Sequence, residues 1–267
     1  MADVGAYAAA FKVNFKNMLA YKTDIALDLT FTILSSLIFV FVWAAVYYFS
    51  GAGTLDGFSL NGIIAYFIVL AGISEVTGWP KIINNMEEDM KEGGIARFLI
   101  RPMNYTTQLL LESLPVDIVF FTFGSLPIIV GVVAFGHLSV TPSALALFAA
   151  LMVIAYLMIN IIGFIIGSMA VYLTSVWGVA NAVTWLFSLA GGGVVPLFFL
   201  PDNIARLLML TPFAFMYYIP DTTLLGIMPA SAALQSVMIG TLWVIAFAIM
   251  ASLLWRKVKR DINSVGG

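Results

Sequence analysis

The sequence contains no cysteine and only one histidine, His137, in 267 residues. Without cysteine the chain has no disulfide framework, no thiolate metal site and no cysteine nucleophile. A single histidine predicts neither a transition-metal site nor a Ser, His and Asp catalytic set, and we interpret it as a residue of a turn. The nucleotide-binding pattern Gly-x-x-x-x-Gly-Lys-Ser/Thr is absent as well, so we expect no enzyme activity and no cofactor in this chain.

Charged residues are also scarce. Lys, Arg, Asp and Glu make up 10% of the chain, apolar residues make up 62%, and the mean hydropathy is +1.04. A soluble domain usually has about 25% charged and about 45–50% apolar residues. This chain cannot bury so much apolar surface in water, so its solvent must be lipid. The net charge of −2 is too small to indicate a nucleic-acid partner.

Long uncharged runs divide the chain into six membrane spans. A span needs about 20 apolar residues, and no Lys, Arg, Asp or Glu occurs from Ile118 to Pro201. We divide that run at residues 135–143 and 173–178, where turn-forming residues cluster. The sequence predicts an all-α integral membrane protein, a single domain over residues 1–267, with spans near 25–49, 60–79, 109–135, 143–172, 178–199 and 233–255.

The basic residues predict the orientation of the spans, because cytoplasmic flanks are enriched in Lys and Arg. If both termini are cytoplasmic, 11 of the 12 basic residues lie on the cytoplasmic side and only Arg206 lies outside. We therefore expect both termini and the loop after the second span to be cytoplasmic.

Two further segments do not read as simple spans. Residues 6–22 place aromatic residues and Lys22 on one helical stripe, which predicts an amphipathic helix in the membrane interface. A charged extension of the first span is the alternative. The proline-rich segment, residues 191–230, holds five of the ten prolines yet is strongly apolar. It predicts broken, partly re-entrant helices on the outer side, and a long outer loop is the alternative.

Asp117 lies deeper in its predicted span than the other acidic residues, and an ionisable group in lipid is costly and usually functional. It is a candidate for a group that lines a polar pathway, with a structural hydrogen bond as the alternative. Gly163 and Gly167 form a small-residue pair that favours close helix packing. Packing within one subunit is the preferred interpretation over a dimer seam.

A charged segment interrupts the apolar chain at residues 84–104. Gly93 and Gly94 break its acidic helix, and Ile95, Phe98 and Leu99 then form an apolar face. Pro102 stops this short helix because it has no amide hydrogen to donate. A solvated loop that only follows the orientation rule would not account for the exposed apolar face.

Two motifs in this chain resemble those of ABC-2 type transporter permeases. The first is GGIARFLIRPMN at residues 93–104, in which the family pattern Gly-x-Ile-Ala-x-x-Leu-x-Arg-Pro-x-Asn/Asp is filled without a gap. It is most similar to the branch of viologen-exporter-type permeases. The second is residues 196–226, which are similar to the Pro-Leu-x-x-Leu-Pro, Pro-Phe and Tyr-x-Pro run that precedes the last span in that family.

The resemblance implies a permease subunit that works with a dimer of separate ATPase subunits, which would carry ATP and Mg²⁺. A second permease subunit, identical or paralogous, and membrane lipids would be the other partners, in a prokaryotic plasma membrane. In such permeases the loop after the second span holds a coupling helix that docks into the ATPase. The corresponding residues here are Gly94, Ile95, Ala96, Arg97, Phe98, Leu99, Arg101 and Pro102.

The same resemblance implies export of hydrophobic, lipid-like or cationic drug-like cargo. We assign Asp117, Phe120, Phe121 and Trp185 as possible pathway residues. The three aromatic rings could stack on cargo or equally face lipid. We assign an outer gate to Pro196, Pro201, Pro212, Phe213 and Pro220. An ion-coupled secondary transporter and a non-transport membrane scaffold are the alternatives. The first would need coupling charges near the middle of the membrane.

Overall fold

The computed structural model describes residues 11–16, 22–77, 81–91, 105–135 and 140–265. In these ranges the chain is helical apart from one small hairpin and connecting turns. Five helical stretches are long and apolar enough to cross a membrane, namely Thr30–Ser50, Leu60–Lys91, Tyr105–Ala134, Pro142–Val171 and Ala230–Asp261. The prediction of an all-α integral membrane protein is confirmed.

The helices are labelled here in chain order. The long ones are α1 (Lys22–Ser50), α2 (Leu60–Thr77), α3 (Lys81–Lys91), α4 (Tyr105–Phe120), α5 (Leu126–Phe135), α6 (Pro142–Ser168), α7 (Trp177–Ala190) and α10 (Ala230–Val265). A π-helical segment, Phe121–Ser125, joins α4 to α5. Within the proline-rich segment lie α8 (Asp202–Leu210), α9 (Tyr218–Leu224) and the 3₁₀ turns Leu197–Phe199 and Pro212–Phe215. The hairpin consists of β1 (Thr54–Leu55) and β2 (Phe58–Ser59).

The fifth predicted span differs most from the structure. The sequence predicts a span over 178–199, whereas α7 ends at Ala190 after 14 residues. A helix of that length extends about 21 Å, less than the roughly 30 Å of the hydrocarbon layer. Three consecutive glycines stop it: Gly192 has φ +88°, and a Cβ on Gly191 would lie 2.4 Å from the Phe187 and Phe213 carbonyl oxygens. The regular helix therefore ends at Ala190, before α7 by itself is long enough to cross the hydrocarbon layer.

The hairpin was not predicted, although its signal is present in the sequence. Thr54 pairs with Ser59, and Leu55 pairs with Phe58. The two residues between the strands, Asp56 and Gly57, have φ of +46° and +82°. An Asp-Gly pair of this kind is typical of a two-residue hairpin turn. Of the predicted interfacial helix, residues 11–16 are helical, and most of the remainder lies outside the described residues.

The buried core is built around α2 and α6. Helix α6 packs against α2, α3, α9 and α10, and α2 packs against α1, α5 and the π-helical segment. Tyr66, Phe67, Leu151, Met158 and Phe215 are among its fully or almost fully buried members. By contrast, only 6% of the apolar membrane-spanning stretch of α1, and 11% of that of α10, is buried within this chain. These two helices form the apolar exterior of the bundle.

The bundle has two distinct ends. At the first, the basic end, α3 packs on the end of α6 and the Tyr172 hydroxyl donates a 2.5 Å hydrogen bond to Asp261 near the end of α10. Arg256, Lys257, Lys259 and Arg260 lie on α10 at this end. At the opposite end, the start of α6 at Thr141 faces residues 223–230 of the proline-rich segment.

Gly167, one of the two glycines of the small-residue pair on α6, serves packing within this chain. A Cβ added to Gly167 would lie 2.8 Å from the Cβ and 2.9 Å from the Sδ of Met86 on α3. Met86 is fully buried, together with Ile82, Leu109 and Phe164, in a cluster at the basic end. The glycine thus permits α3 to lie directly against α6.

Gly167→Ala is expected to lower the free energy of unfolding by about 1–3 kcal/mol, because the added methyl group overpacks the contact with Met86. The matched control is Gly131→Ala in α5, where a Cβ meets no atom within 4 Å and alanine favours the helix by about 1 kcal/mol. Thermal unfolding in detergent measures both variants. Equal stability of the two would contradict the packing role assigned to Gly167.

Candidate functional site

A groove of about 330 Å³ lies at mid-height in the bundle, between α1, α2 and α7. Its position follows from the residues that line it, since those of α1 lie around the midpoint of that 29-residue helix. The lining residues are Phe31, Thr32, Ser35, Ser36 and Phe39 of α1, Phe67, Leu70, Ala71 and Ser74 of α2, Trp185 and Ser188 of α7, and Gly193, Val194 and Tyr217 of the proline-rich segment.

The groove combines aromatic rings with hydroxyl groups, and no charged side chain is among its lining residues in the described part of the chain. The Ser36 hydroxyl donates a 2.7 Å hydrogen bond to the Thr32 carbonyl, and the Ser74 hydroxyl donates a 2.8 Å bond to the Leu70 carbonyl. Their hydrogens are thus used within each helix, while their oxygens can still accept. Such a surface suits an amphiphile with an apolar body and a neutral or cationic donor group.

Of the four predicted pathway residues, the structure brings Trp185 to the groove. The Trp185 side chain is 62% exposed. Asp117 instead accepts a 2.8 Å hydrogen bond from the Tyr156 hydroxyl, which links α4 to α6. Phe120, the last residue of α4, is half-buried, and Phe121, the first residue of the π-helical segment, is exposed. Neither lines the groove. The hydrogen bond is the alternative that the sequence left open for Asp117, and a pathway role for it stays a prediction.

Stacked rings close the groove toward the hairpin end. Phe67 stacks on Phe39 with ring centroids 5.2 Å apart, and on Trp43 at 6.0 Å. Trp43 in turn stacks on Phe199 at 4.8 Å. Phe198 stacks on Phe58 of the hairpin. We call this set, Phe39, Trp43, Phe58, Phe67, Phe198 and Phe199, the aromatic cap.

The predicted outer-gate residues shape the segment that carries part of this cap. Pro196 and Pro201 directly precede the turn Leu197–Phe199 and α8. Pro212 begins the next 3₁₀ turn, and Pro220 is buried in α9. The Phe213 ring meets the Phe187 ring of α7 edge to face at 4.9 Å. Sequence reasoning selected the prolines of PLFFLP but missed Phe198 and Phe199, although the paired rings between two prolines were a visible signal.

The predicted coupling residues, from Gly94 to Pro102, lie outside the described residues, but the helices on both sides of them are described. The Tyr105 hydroxyl at the start of α4 donates a 2.9 Å hydrogen bond to Asp89 on α3. The Tyr105 ring also stacks on Trp255 of α10 at 5.1 Å, and Trp255 meets the Phe164 ring of α6 at 5.3 Å. The two flanks of the coupling segment are thus joined to each other and to α6 and α10.

Glu87 on α3 connects this region to α7. Its carboxylate pairs with Lys91 at 2.6 Å, which lowers the pKa of the Glu87 carboxyl. Ser175 and Val176 lie close enough to the carboxylate to lower this pKa further. These two residues immediately precede α7. A carboxylate near the N-terminus of a helix is stabilised by the partial positive charge there. A series of contacts therefore leads from the flank of the coupling segment to the helix that carries Trp185.

Residues 31–266 match the family model described as ABC-2 family transporter protein. The matched range includes the segment 84–104, the proline-rich segment and all of the long helices apart from the first residues of α1. No curated protein sequence matches the chain.

Proposed function

Because the chain belongs to the ABC-2 transporter family, it is the membrane permease component of an ABC transporter, and we propose that it exports amphiphilic cargo through the groove. The cargo class is hydrophobic, lipid-like or cationic drug-like. The observation that carries this proposal is the groove itself, which is uncharged, lined by rings and hydroxyl groups, and located at mid-height. The motif at residues 93–104 resembles the viologen-exporter branch, which favours aromatic cations within that class.

The family implies an ABC ATPase as partner, and ATP and Mg²⁺ are expected on that partner. The alternatives raised by the sequence have less support. An ion-coupled transporter usually places coupling charges near the middle of the membrane, whereas the described lining of the groove is uncharged. A scaffold needs no lined groove at this depth.

A second permease subunit, identical or related, is proposed to complete the pathway. The groove is bordered by α1, and only 6% of the apolar membrane-spanning stretch of α1 is buried within this chain. Apolar side chains on its exposed surface include Phe31, Leu34, Ile38 and Phe41. In lipid, helix association depends on close packing rather than on apolar character alone, so this surface is available to a partner but does not fix its identity.

The coupling mechanism is proposed to run through α3. Movement of the coupling segment on its ATPase would shift α3, whose Glu87 meets the start of α7. Tilting α7 would then move Trp185 and Ser188 relative to α1 and α2 and change the width of the groove. The contact of Tyr105 with both Asp89 and Trp255 supports a joint movement of α3, α4 and α10.

Trp185→Ala is expected to weaken binding of an aromatic cation such as methyl viologen by about five- to thirtyfold. A desolvated cation–π contact is worth about 1–2 kcal/mol. Trp185, on α7, has the largest aromatic ring among the residues that line the groove. The control is Trp177→Ala on the same helix, since Trp177 is 68% exposed and does not line the groove. Uptake into inside-out vesicles that contain the permease and its ATPase measures both variants. Equal effects of the two substitutions would contradict the assignment of the groove as the cargo site.

A double substitution, Phe98→Ala with Arg97→Glu, is expected to abolish association with the ATPase. Removing a buried aromatic anchor often costs upwards of about 2 kcal/mol at an interface, and the charge reversal adds repulsion if the docking groove is acidic. Neither residue belongs to the lipid-embedded spans, so membrane levels should stay normal. Copurification with the ATPase and cargo-stimulated ATP hydrolysis measure the effect. A variant that still copurifies and transports would contradict the coupling assignment.

A further inference from the structure

One ionisable side chain that sequence reasoning missed is enclosed in the protein. Asp221 lies in α9, where every residue from Tyr218 to Leu224 is buried, and its own exposed fraction is 0%. Neither of its carboxyl oxygens has a hydrogen-bond partner among the described residues. An acidic side chain of this kind is rare, because buried polar groups are normally hydrogen-bonded and buried charges are normally paired.

The hydroxyl groups around Asp221 are used elsewhere. The Tyr66 hydroxyl donates a 2.8 Å hydrogen bond to the Gly192 carbonyl. The Thr222 hydroxyl donates to the Tyr218 carbonyl at 2.7 Å, and the Thr223 hydroxyl donates to the Ile219 carbonyl at 2.7 Å. These groups therefore provide nothing that would stabilise an ionised carboxylate at Asp221.

No counter-charge is present for Asp221 in the described part of the chain. Lys91 pairs with Glu87, and among the described residues no group of three His, Asp or Glu side chains could hold a metal ion. The ionisable groups that interact electrostatically with it are Tyr66 of α2 and Tyr218 of α9, and neither is a cation that could stabilise its negative charge. Burial raises the pKa of the Asp221 carboxyl well above its usual range.

The other helices packed on α9 bring no further titratable group against Asp221. Helix α2 also carries Glu75, which lies nine residues beyond Tyr66, about 14 Å along the helix. Helix α6 carries Tyr156, which is bonded to Asp117. The charged residues of α10 begin at Arg256, near the basic end, and the turn Pro212–Phe215 has no titratable side chain.

The place of Asp221 in the fold relates it to the groove. Gly193 and Tyr217 line the groove, and Gly192 and Tyr218 are their neighbours along the chain. The Tyr66 hydroxyl donates a hydrogen bond to the Gly192 carbonyl, and Asp221 interacts electrostatically with both Tyr66 and Tyr218. A Cβ on Gly192 would lie 2.8 Å from the Tyr66 hydroxyl oxygen and 3.0 Å from the Tyr218 Cβ. The Tyr218 amide also donates a 3.0 Å hydrogen bond to the Gly191 carbonyl. A thin wall of backbone and two tyrosines thus separates the carboxyl from the cargo groove.

We infer that Asp221 is a proton-binding site that holds this wall closed. In the closed arrangement the carboxyl carries a proton and is neutral, which is the one form that can be buried without a partner at tolerable cost. If the wall of Gly192, Tyr66 and Tyr218 opens, water reaches the carboxyl and it releases its proton to that water as it ionises. Protonation therefore favours the closed groove, and loss of the proton favours the open one.

The inference depends on the proposed function only for the idea that this wall moves during transport. The protonation state can be measured on the isolated permease without ATPase or cargo. A result that contradicts protonation of Asp221 can therefore be told apart from a result that contradicts the proposed transport function.

The test is infrared spectroscopy of the purified protein near neutral pH, with Asp221→Asn and Asp202→Asn compared with the unaltered chain. We expect the carbonyl stretch of a protonated carboxylic acid in the unaltered chain, its loss in Asp221→Asn, and its retention in Asp202→Asn, since Asp202 is exposed in α8. If Asp221→Asn does not fold, two other results are required. The carbonyl band must shift when the unaltered chain contains isotope-labelled aspartate, and it must persist in the Asp117→Asn variant. A missing band, or one that persists in a folded Asp221→Asn variant, overturns the inference.

Thermal unfolding gives a second readout with a defined sign. The folded chain binds this proton more tightly than the unfolded chain, so its contribution to stability is lost as pH rises from the ordinary carboxyl range through the raised pKa of the folded state. Within that window the folding equilibrium is expected to fall by about tenfold per pH unit. The difference in stability between Asp221→Asn and the unaltered chain should grow with pH accordingly, while Asp202→Asn should follow the unaltered chain. A difference that does not change with pH overturns the inference.

Discussion

Lipid offers no hydrogen-bond partners, so every interruption of a helix in this protein must be covered by the protein itself. The proline-rich segment meets this constraint in a specific way. Its turns bring backbone groups together, as in the 3.0 Å bond from the Tyr218 amide to the Gly191 carbonyl. Every residue of α9 is buried, and α9 packs against α2, α6, α10 and the turn Pro212–Phe215. The three glycines at 191–193 make this enclosure possible because a Cβ at these positions would collide with neighbouring backbone or side-chain atoms.

The same enclosure determines the character of the groove. Because α7 stops at Ala190, the chain that follows it can fold over the aromatic cap and contribute Gly193 and Tyr217 to the lining. Two of the hydroxyl groups in the groove, those of Ser36 and Ser74, already donate within their own helices, so the empty groove does not leave these two donors unsatisfied. Such a surface can accept an amphiphile and release it without breaking strong interactions, which is what a transporter requires.

The sequence predicted what depends on composition and local pattern, and missed what depends on tertiary contacts. Uncharged runs were enough to place five of the six predicted spans on long apolar helices, and the motif at 93–104 was enough to indicate the family. Trp185 was selected because it is aromatic and lies in a span. The hydrogen bond from Tyr156 to Asp117 joins residues 39 positions apart and has no local signature. Asp221, next to two threonines, resembles an exposed turn residue, and its burial follows from the packing of α9 against α2 and α6.

The most direct test of the account uses the absence of cysteine from the chain. Ser36→Cys places a thiol in the groove, whereas Ile38→Cys places one on the exposed surface of the same helix, at a side chain that is 63% exposed. A small cationic thiol reagent should modify the first variant when the complex is assembled with its ATPase, cargo should protect it, and its reactivity should differ between the ATP-bound and nucleotide-free states. The second variant should show none of these effects. Equal reactivity of the two thiols in every nucleotide state, with no protection by cargo, would contradict the assignment of this groove as the transport pathway.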